Sequence, residues 1–170
     1  MNTPTNPDFT TADLIDIAPD TPSCELPFFS YGCRRHFCGK ARTVKCFQDN
    51  GLVKQILNTP GNGNVLVVDG AGSRFSALVG DMLAEAGRKN GWAGIVINGV
   101  IRDSAAINTM DFGIKALGTN PKKSAKDAVG VLDGNVHFGN VTFRSGDWVY
   151  CDEDGVLVSA EPIHASTNQS

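Results

Sequence analysis

Two short stretches carry the groups best suited to handling a small anion, Gly80-Asp81-Met82-Leu83 and Arg102-Asp103. Asp81 at the start of a helix would cap it and leave the N–H groups of Met82 and Leu83 at the positive end of the helix dipole, open to a carboxylate or a phosphate. The Arg102 guanidinium is a rigid fork of donors matched to a planar carboxylate or a carbonyl oxygen. Asp103 beside it offers hard oxygen to Mg²⁺ or Mn²⁺, and one aspartate can suffice for an ion that keeps much of its water. On these residues alone a second reading stands beside the first: Asp81 only caps a helix, and Arg102-Asp103 is a solvated turn.

Other candidate chemistries are weaker. Cys33, His36, Cys38 and Cys46 are close enough to raise a zinc site, but no spacing makes a CxxC pair and no second paired half follows. The five cysteines, at 24, 33, 38, 46 and 151, are an odd number without a secretory signal before them, so free thiols are expected. His36, His137 and His164 are scattered and no nucleophile elbow is present. Gly70-Ala71-Gly72-Ser73 follows an apolar run as a dinucleotide loop would, yet Phe75 follows where a third glycine is wanted, and there is no P-loop lysine.

The elements that must position these groups can be read from pattern. Asn64 to Asp69 is a β-branched run stopped by the glycine turn, and Gly94 to Asn98 is a second, ending in a loop with Gly99 and then Arg102-Asp103. Between them Asp81 to Asn90 has helical spacing, with Met82, Leu83 and Ala86 on one face and Glu85, Arg88 and Lys89 outward. The expectation is a central βαβ unit of parallel strands, whose loops at the carboxyl ends are where open α/β sheets hold ligands. Thr10 to Ala18 predicts a short helix stopped by Pro19, Ala41 to Phe47 a strand, and Gly51 to Leu57 a helix ended by Pro60. From Val136 onward, short strand-like pieces joined by Gly139-Asn140, Ser145-Gly146-Asp147 and Asp152 to Gly155 predict tight antiparallel β.

The whole is read as a single α/β domain over residues 1–170, with an ordered core from about 10 to 162 and loose polar tails. Fifteen Lys and Arg against 18 Asp and Glu give a formal charge of -3, which speaks against nucleic acid as a partner. No apolar run approaches the roughly 20 residues that span a bilayer, so no membrane role is expected and a soluble, cytoplasmic protein is.

Five stretches taken together go further: Val44-Lys-Cys-Phe-Gln-Asp-Asn50, Val65-Leu-Val-Val-Asp-Gly70, Gly80-Asp-Met-Leu-Ala84, Asn90-Gly-Trp-Ala-Gly-Ile-Val-Ile-Asn98 with Arg102-Asp103, and Val141-Thr-Phe-Arg-Ser-Gly-Asp147. With them the chain resembles, over most of its length, the family that contains the regulator of ribonuclease activity A and the class II 4-hydroxy-4-methyl-2-oxoglutarate aldolases. The family's enzymatic signature is an Asp, twenty intervening residues and Arg-Asp; Asp81 and Arg102-Asp103 bracket positions 82 to 101. The resemblance implies a compact α/β/β fold of the swivelling type, assembled as homotrimers with active sites in clefts between subunits.

It also implies roles. Asp103 would ligate a divalent metal, partly through water, and Asp81 would hold a water on that metal. Gly80 to Leu83 would bind substrate, the Met82 and Leu83 amides taking the pyruvyl carboxylate, and Arg102 would contact the pyruvyl C2 oxygen. The implied reaction is metal-dependent cleavage of a 4-hydroxy-2-oxo acid to pyruvate enolate, with oxaloacetate decarboxylation through the same enolate. No Schiff-base lysine is needed, and none adjoins these residues in sequence. Some enzymatic members carry an acidic residue where this chain has Ala106, and Phe29-Ser-Tyr-Gly32 with Lys45 to Asn50 resembles the regulator branch, whose members bind ribonuclease E without chemistry. Retention of Arg102-Asp103 favours the enzyme. A menaquinone methyltransferase label carried by some members finds no acidic strand-end loop for a methyl donor in this sequence.

Overall fold

Val65–Asp69 is buried along its whole length, as a strand covered on both faces must be. The computed structural model describes residues 8–163, so all but Asp8 of the expected tails, and His164, lie outside the described residues. In chain order the elements are α1 (Thr11–Ile17), β1 (Phe29–Tyr31), β2 (Phe37–Cys46), α2 (Gly51–Leu57), β3 (Val65–Asp69), β4 (Ala77–Val79), α3 (Asp81–Lys89), β5 (Gly94–Ile101), α4 (Ser104–Ile107), β6 (Ile114–Thr119), β7 (Gly130–Leu132), β8 (Val136–Phe138), β9 (Val141–Phe143), β10 (Trp148–Cys151) and β11 (Val156–Ser159).

The main sheet runs β1-β6-β5-β3-β2-β10-β11, with β4 added beside β5 and β7 beside β2. Its centre is parallel, β2 with β3, β3 with β5, and β5 with β6, and the expected βαβ unit is there in β3, α3 and β5. The C-terminal strands pair antiparallel, as their tight turns required. Two strands differ from the sequence reading. β5 does not stop at Asn98 but continues through Gly99 to Ile101, its register shifting between Ile97 and Val100. β2 begins at Phe37, four residues before the expected start, because its first half pairs with β10, a partner distant in sequence.

Alternation along β3 divides the core. Leu66 and Val68 face a cluster with Val53, Ile56 and Leu57 of α2 and Phe112, whereas Val65 and Val67 face a second cluster with Phe138, Val141 and Phe143. Helices cover one face and the β8–β9 hairpin with β10 and β11 the other, an α/β/β layering. In α3 the inward residues are Ala84 and Gly87, and Met82 is 82% exposed. The expected face of Met82, Leu83 and Ala86 is therefore displaced by part of a turn. Gly87 lies under the Phe112 ring, where even a Cβ would come within 3.0 Å of it, so close packing of α3 fixes its rotation.

α1 is held by polar clamps more than by its short apolar stripe. Thr10 caps it, its hydroxyl accepting from the Asp13 N–H at 3.0 Å. Buried Asp152, after β10, accepts from the Thr11 N–H at 2.6 Å and hydroxyl at 2.7 Å, and from the Asp154 and Gly155 N–H groups. Asp152→Ala should strip two of α1's tethers, a loss on the order of 2 kcal/mol. Thermolysin should then cut between Leu14 and Ile17 about tenfold faster, with wild-type rates counting against the clamp.

Candidate active site

Parallel neighbours β4 and β5 end in register, Val79 opposite Ile101, and the Arg102 N–H donates to the Val79 carbonyl at 3.0 Å. Gly80-Asp81 and Arg102-Asp103 therefore leave the sheet side by side. β4, a three-residue strand with no pattern long enough to read, is what brings the two motifs together.

Gly80, not Asp81, is the N-cap of α3, and it has no side chain to cap with. Asp81 is the first helical residue, and its N–H donates to Asp103 Oδ2 at 3.1 Å. The cap thus comes from the next strand's end. The helical ladder begins with the Ala84 N–H to the Gly80 carbonyl at 3.0 Å, so the amides of Met82 and Leu83 precede it, at the positive end of the dipole.

Asp103 has φ 57° and ψ 37°, the left-handed region that aspartate and asparagine enter more readily than other non-glycine residues. That backbone aims its carboxylate back at α3. The Asp81 N–H, the neighbouring Asp81 side chain and the Arg102 charge hold its carboxyl below the usual carboxylate range against desolvation. It is an anion at neutral pH. Arg102 Nε lies 3.7 Å from Asp103 Oδ2. A Cβ on Gly80 would meet Asp103 Oδ2 at 2.8 Å and Arg102 Cγ at 3.3 Å, so only glycine leaves this corner open. Two hard carboxylates, Asp81 and Asp103, beside a space that a methyl group would fill, are a donor set suited to a divalent ion completed by water and substrate.

Gly80, Asp81, Met82, Leu83, Arg102 and Asp103 all line one cavity of about 120 Å³. Every expected site residue is brought together there. The same cavity is lined by Asn50, Lys54, Lys123, Ser124 and Lys126. These were missed because they lie 27 or more positions before Asp81 or 20 or more after Asp103, on or just before α2 and on the segment between β6 and β7. Although no lysine adjoins the site in sequence, three reach it in space.

The other candidate groups do not assemble a site. Cys33 is exposed, Cys46 is buried with its thiol pushed up to about 12 by desolvation and by Asp49 and Asp69, and all five cysteines are free. No zinc-like set forms from Cys33, His36, Cys38 and Cys46 among the described residues; the group of possible ligands that does gather is His36, Asp152 and Glu153, within 4.8 Å of one another. Asp152 there is engaged by the α1 clamp, and His36 bridges the Phe9 carbonyl, at 2.9 Å, and Glu153. The Gly70 to Ser73 turn is tied to β5 through Gly70 and Gly72 N–H bonds to the Asn98 carbonyl.

Fold and site together define a mixed α/β protein with a cationic, carboxylate-bearing cavity where two parallel strands end. Residues 11–158 match a family model described as RraA-like, Aldolase/RraA, and the chain belongs to that family, which holds both aldolases and ribonuclease inhibitors. It is similar to a crystal structure from Geobacillus kaustophilus HTA426 described as an S-adenosylmethionine: 2-dimethylmenaquinone methyltransferase, with 46% identity over 94% of this chain and 100% of that one, at a TM-score of 0.90. It is also similar to the RNA-processing inhibitor RraA from Thermus thermophilis, with 38% identity over 95% and 98% of the two chains and a TM-score of 0.90. Streptomyces coelicolor RraAS2, an unusual member of the RNase ES inhibitor RraA protein family, matches with 30% identity over 86% and 76% and a TM-score of 0.70. Among the described residues no helix is long and apolar enough to cross a membrane.

Proposed function

We propose that the chain is a divalent-metal-dependent lyase of the cytoplasm that cleaves 4-hydroxy-4-methyl-2-oxoglutarate, or a related 4-hydroxy-2-oxo acid, to pyruvate, and decarboxylates oxaloacetate as a side reaction. One observation carries this reading: Arg102, the Asp103 carboxylate and the leading amides of α3 line one cavity at the ends of β4 and β5.

Asp103, with Asp81 beside it, would hold Mg²⁺ or Mn²⁺, which supplies Lewis acidity toward the C2 oxygen. The Met82 and Leu83 amides take the pyruvyl carboxylate and fix its plane. Arg102 donates to the C2 oxygen, where charge accumulates as the C3–C4 electron pair moves into the enolate and the C4 hydroxyl gives up its proton to the water beside Asp81, which can return it to C3. Asp81 orients water at the mouth of α3. The carbonyl fragment leaves, and protonation of the enolate at C3 gives pyruvate. In oxaloacetate the leaving fragment is CO₂, and the same contacts serve. Ala106 sits exposed on α4 and supplies no carboxylate to this chemistry. We further propose that the chain works as a homotrimer with these clefts between subunits: Met82, lining the cavity yet 82% exposed, is an apolar side chain for a second copy to cover.

Pyruvate release from both substrates, with Mg²⁺ and with chelator, tests the proposal. Arg102→Lys should lower kcat by about 10²- to 10³-fold, since a point charge cannot reproduce the fork at the developing enolate. A raised KM at unchanged kcat would make Arg102 a binding residue only. A second reading, a regulator that binds ribonuclease E, is favoured by the 38% identity to the RNA-processing inhibitor. Tight capture of ribonuclease E by protein that releases no pyruvate with any divalent ion would put it in place of the first.

A further inference from the structure

His36, one residue before β2 and outside the cavity described above, is caught between two acceptors. On one side its Nδ1 lies 2.9 Å from the Phe9 carbonyl oxygen. On the other its Nε2 lies 2.8 Å from Glu153 Oε2 and 3.1 Å from Oε1. A neutral imidazole carries one N–H and one lone pair, so it can donate to only one of these partners and sets its lone pair against the oxygen of the other. Only the imidazolium, a donor at both nitrogens, satisfies both at once.

The two acceptors belong to different parts of the fold. Phe9 leads into α1, and its ring packs on those of His36 and Tyr150, with centroid distances of 5.9 Å and 5.6 Å. Glu153 lies in the turn between β10 and β11. Behind them Leu14 of α1 is buried with Tyr150 and Leu157, and Phe9, Ile15 and Cys38 pack against that patch. The ionisable groups facing the imidazole are Glu153 and Asp152. Asp152 is spent on the Thr11, Asp154 and Gly155 donors, which leaves the proton of His36, rather than a metal ion, to join the ring to the turn. Arg35, beside it in the chain, donates to the Ser30 carbonyl at 2.8 Å. The buried Lys115 ammonium of β6, which the same two carboxylates attract, donates to the Ser30 hydroxyl at 2.9 Å.

We propose that His36 is a proton-operated clasp: charged, it ties the segment leading into α1 to the β10–β11 turn, and on losing its proton it releases that segment and loosens α1. The bond to the Phe9 carbonyl and the two carboxylates raise the pKa of His36 above the ordinary imidazole value, against the desolvation that lowers it. The native state therefore binds this proton more tightly than the unfolded chain does. The clasp's contribution is complete below the unfolded value near 6.5 and is lost as pH rises through the higher native one. The Asp152 clamp titrates in the opposite sense: despite desolvation, the N–H groups and the Thr11 hydroxyl hold its carboxyl below the usual range, so it fails only in acid. The two tethers of α1 thus answer to different ends of the pH scale.

The test is hydrogen exchange of the α1 amides in the full chain, with and without EDTA and expressed as protection over the intrinsic rate at each pH, beside an NMR titration of the His36 ring. Protection from Leu14 to Ala18 should fall about three- to tenfold between about pH 5.5 and about pH 9, as two partly exposed contacts of one charged ring allow, while that of α2 stays level. His36 should titrate above about 6.5. Glu153→Gln separates the clasp from mere packing, because its amide can donate to Nε2 while the Nδ1–H keeps the Phe9 carbonyl, so that a neutral ring makes both bonds. In that variant α1 should stay as protected at about pH 9 as at about pH 5.5, and His36 should titrate lower. His36→Ala should be as weakly protected at about pH 5.5 as the wild type is at about pH 9. Level wild-type protection, an equal fall across α2, a slope that persists in Glu153→Gln or His36→Ala, or a His36 that titrates at or below about 6.5 would each overturn the clasp. So would a slope that disappears in EDTA, which would make the tie a metal ion.

Discussion

Asp103→Asn is expected to lower pyruvate release at least about 10³-fold while leaving the protein folded. Asparagine is the substitution that isolates the charge. It tolerates the left-handed backbone at 103, and its amide oxygen can still accept from the Asp81 N–H that caps α3. What disappears is the anion that would hold the cation. Asp103→Ala changes more, since it also removes that acceptor and leaves a Cβ in a conformation costing about 1 kcal/mol. Chelation of the wild-type protein should reproduce the Asp103→Asn loss, with unfolding curves of the variants overlaying the parent's. Full turnover in excess chelator would end the metal hypothesis.

The largest effect on stability is expected at Asp49. Its carboxylate is buried and accepts four backbone N–H bonds, from Gly51 at 2.9 Å, Asp127 and Ala128 at 3.1 Å and Val129 at 3.4 Å. Asp49→Ala strands those donors and should cost about 2–4 kcal/mol, or a drop in Tm on the order of 10 °C. Desolvation raises the carboxyl's pKa, but the four N–H groups outweigh it and hold the net value below the usual carboxylate range. The sign follows: the native state binds its proton less readily than the unfolded chain does. This stabilisation is complete above the unfolded carboxylate value near 4 and is lost as pH falls through the lower native one. Urea midpoints of wild type and Asp49→Ala should therefore converge in acid; a constant gap from pH 7 down to about 2 would sink the assignment.

How much could be seen in the amino-acid order depended on how local the cause was. α2 and β3 end where Pro60 and the glycine turn put them, because breakers and apolar runs act over a few residues. Asp81, Arg102 and Asp103 were legible as chemistry, yet their meeting depends on β4, too short to show a period. Asp81 reads as a cap by type; the true arrangement, with Gly80 at the cap and Asp103 supplying the acceptor, needs a strand pairing. The β5 extension through Gly99 is likewise enforced by β4 and β6 alongside it. Lys54, Lys123 and Lys126 are ordinary surface residues in sequence and reach the cavity only because Asp49 ties the start of α2 to the segment between β6 and β7.

β2 is long because it belongs to two neighbourhoods. Phe37–Lys40 pairs with β10 and Ala41–Lys45 with β3. During synthesis the second half can find β3 almost at once, whereas the first half must wait for Trp148–Cys151, close to the end of the chain. Until then a strand edge carrying Phe37 stays open, the kind of edge that captures other chains. A ribosome stalled anywhere between β9 and β10 would hold a chain with that seam unclosed. Proteins cut short there should be found in inclusion bodies or bound to chaperones, and the last short strands act as the fastener that ends this exposure.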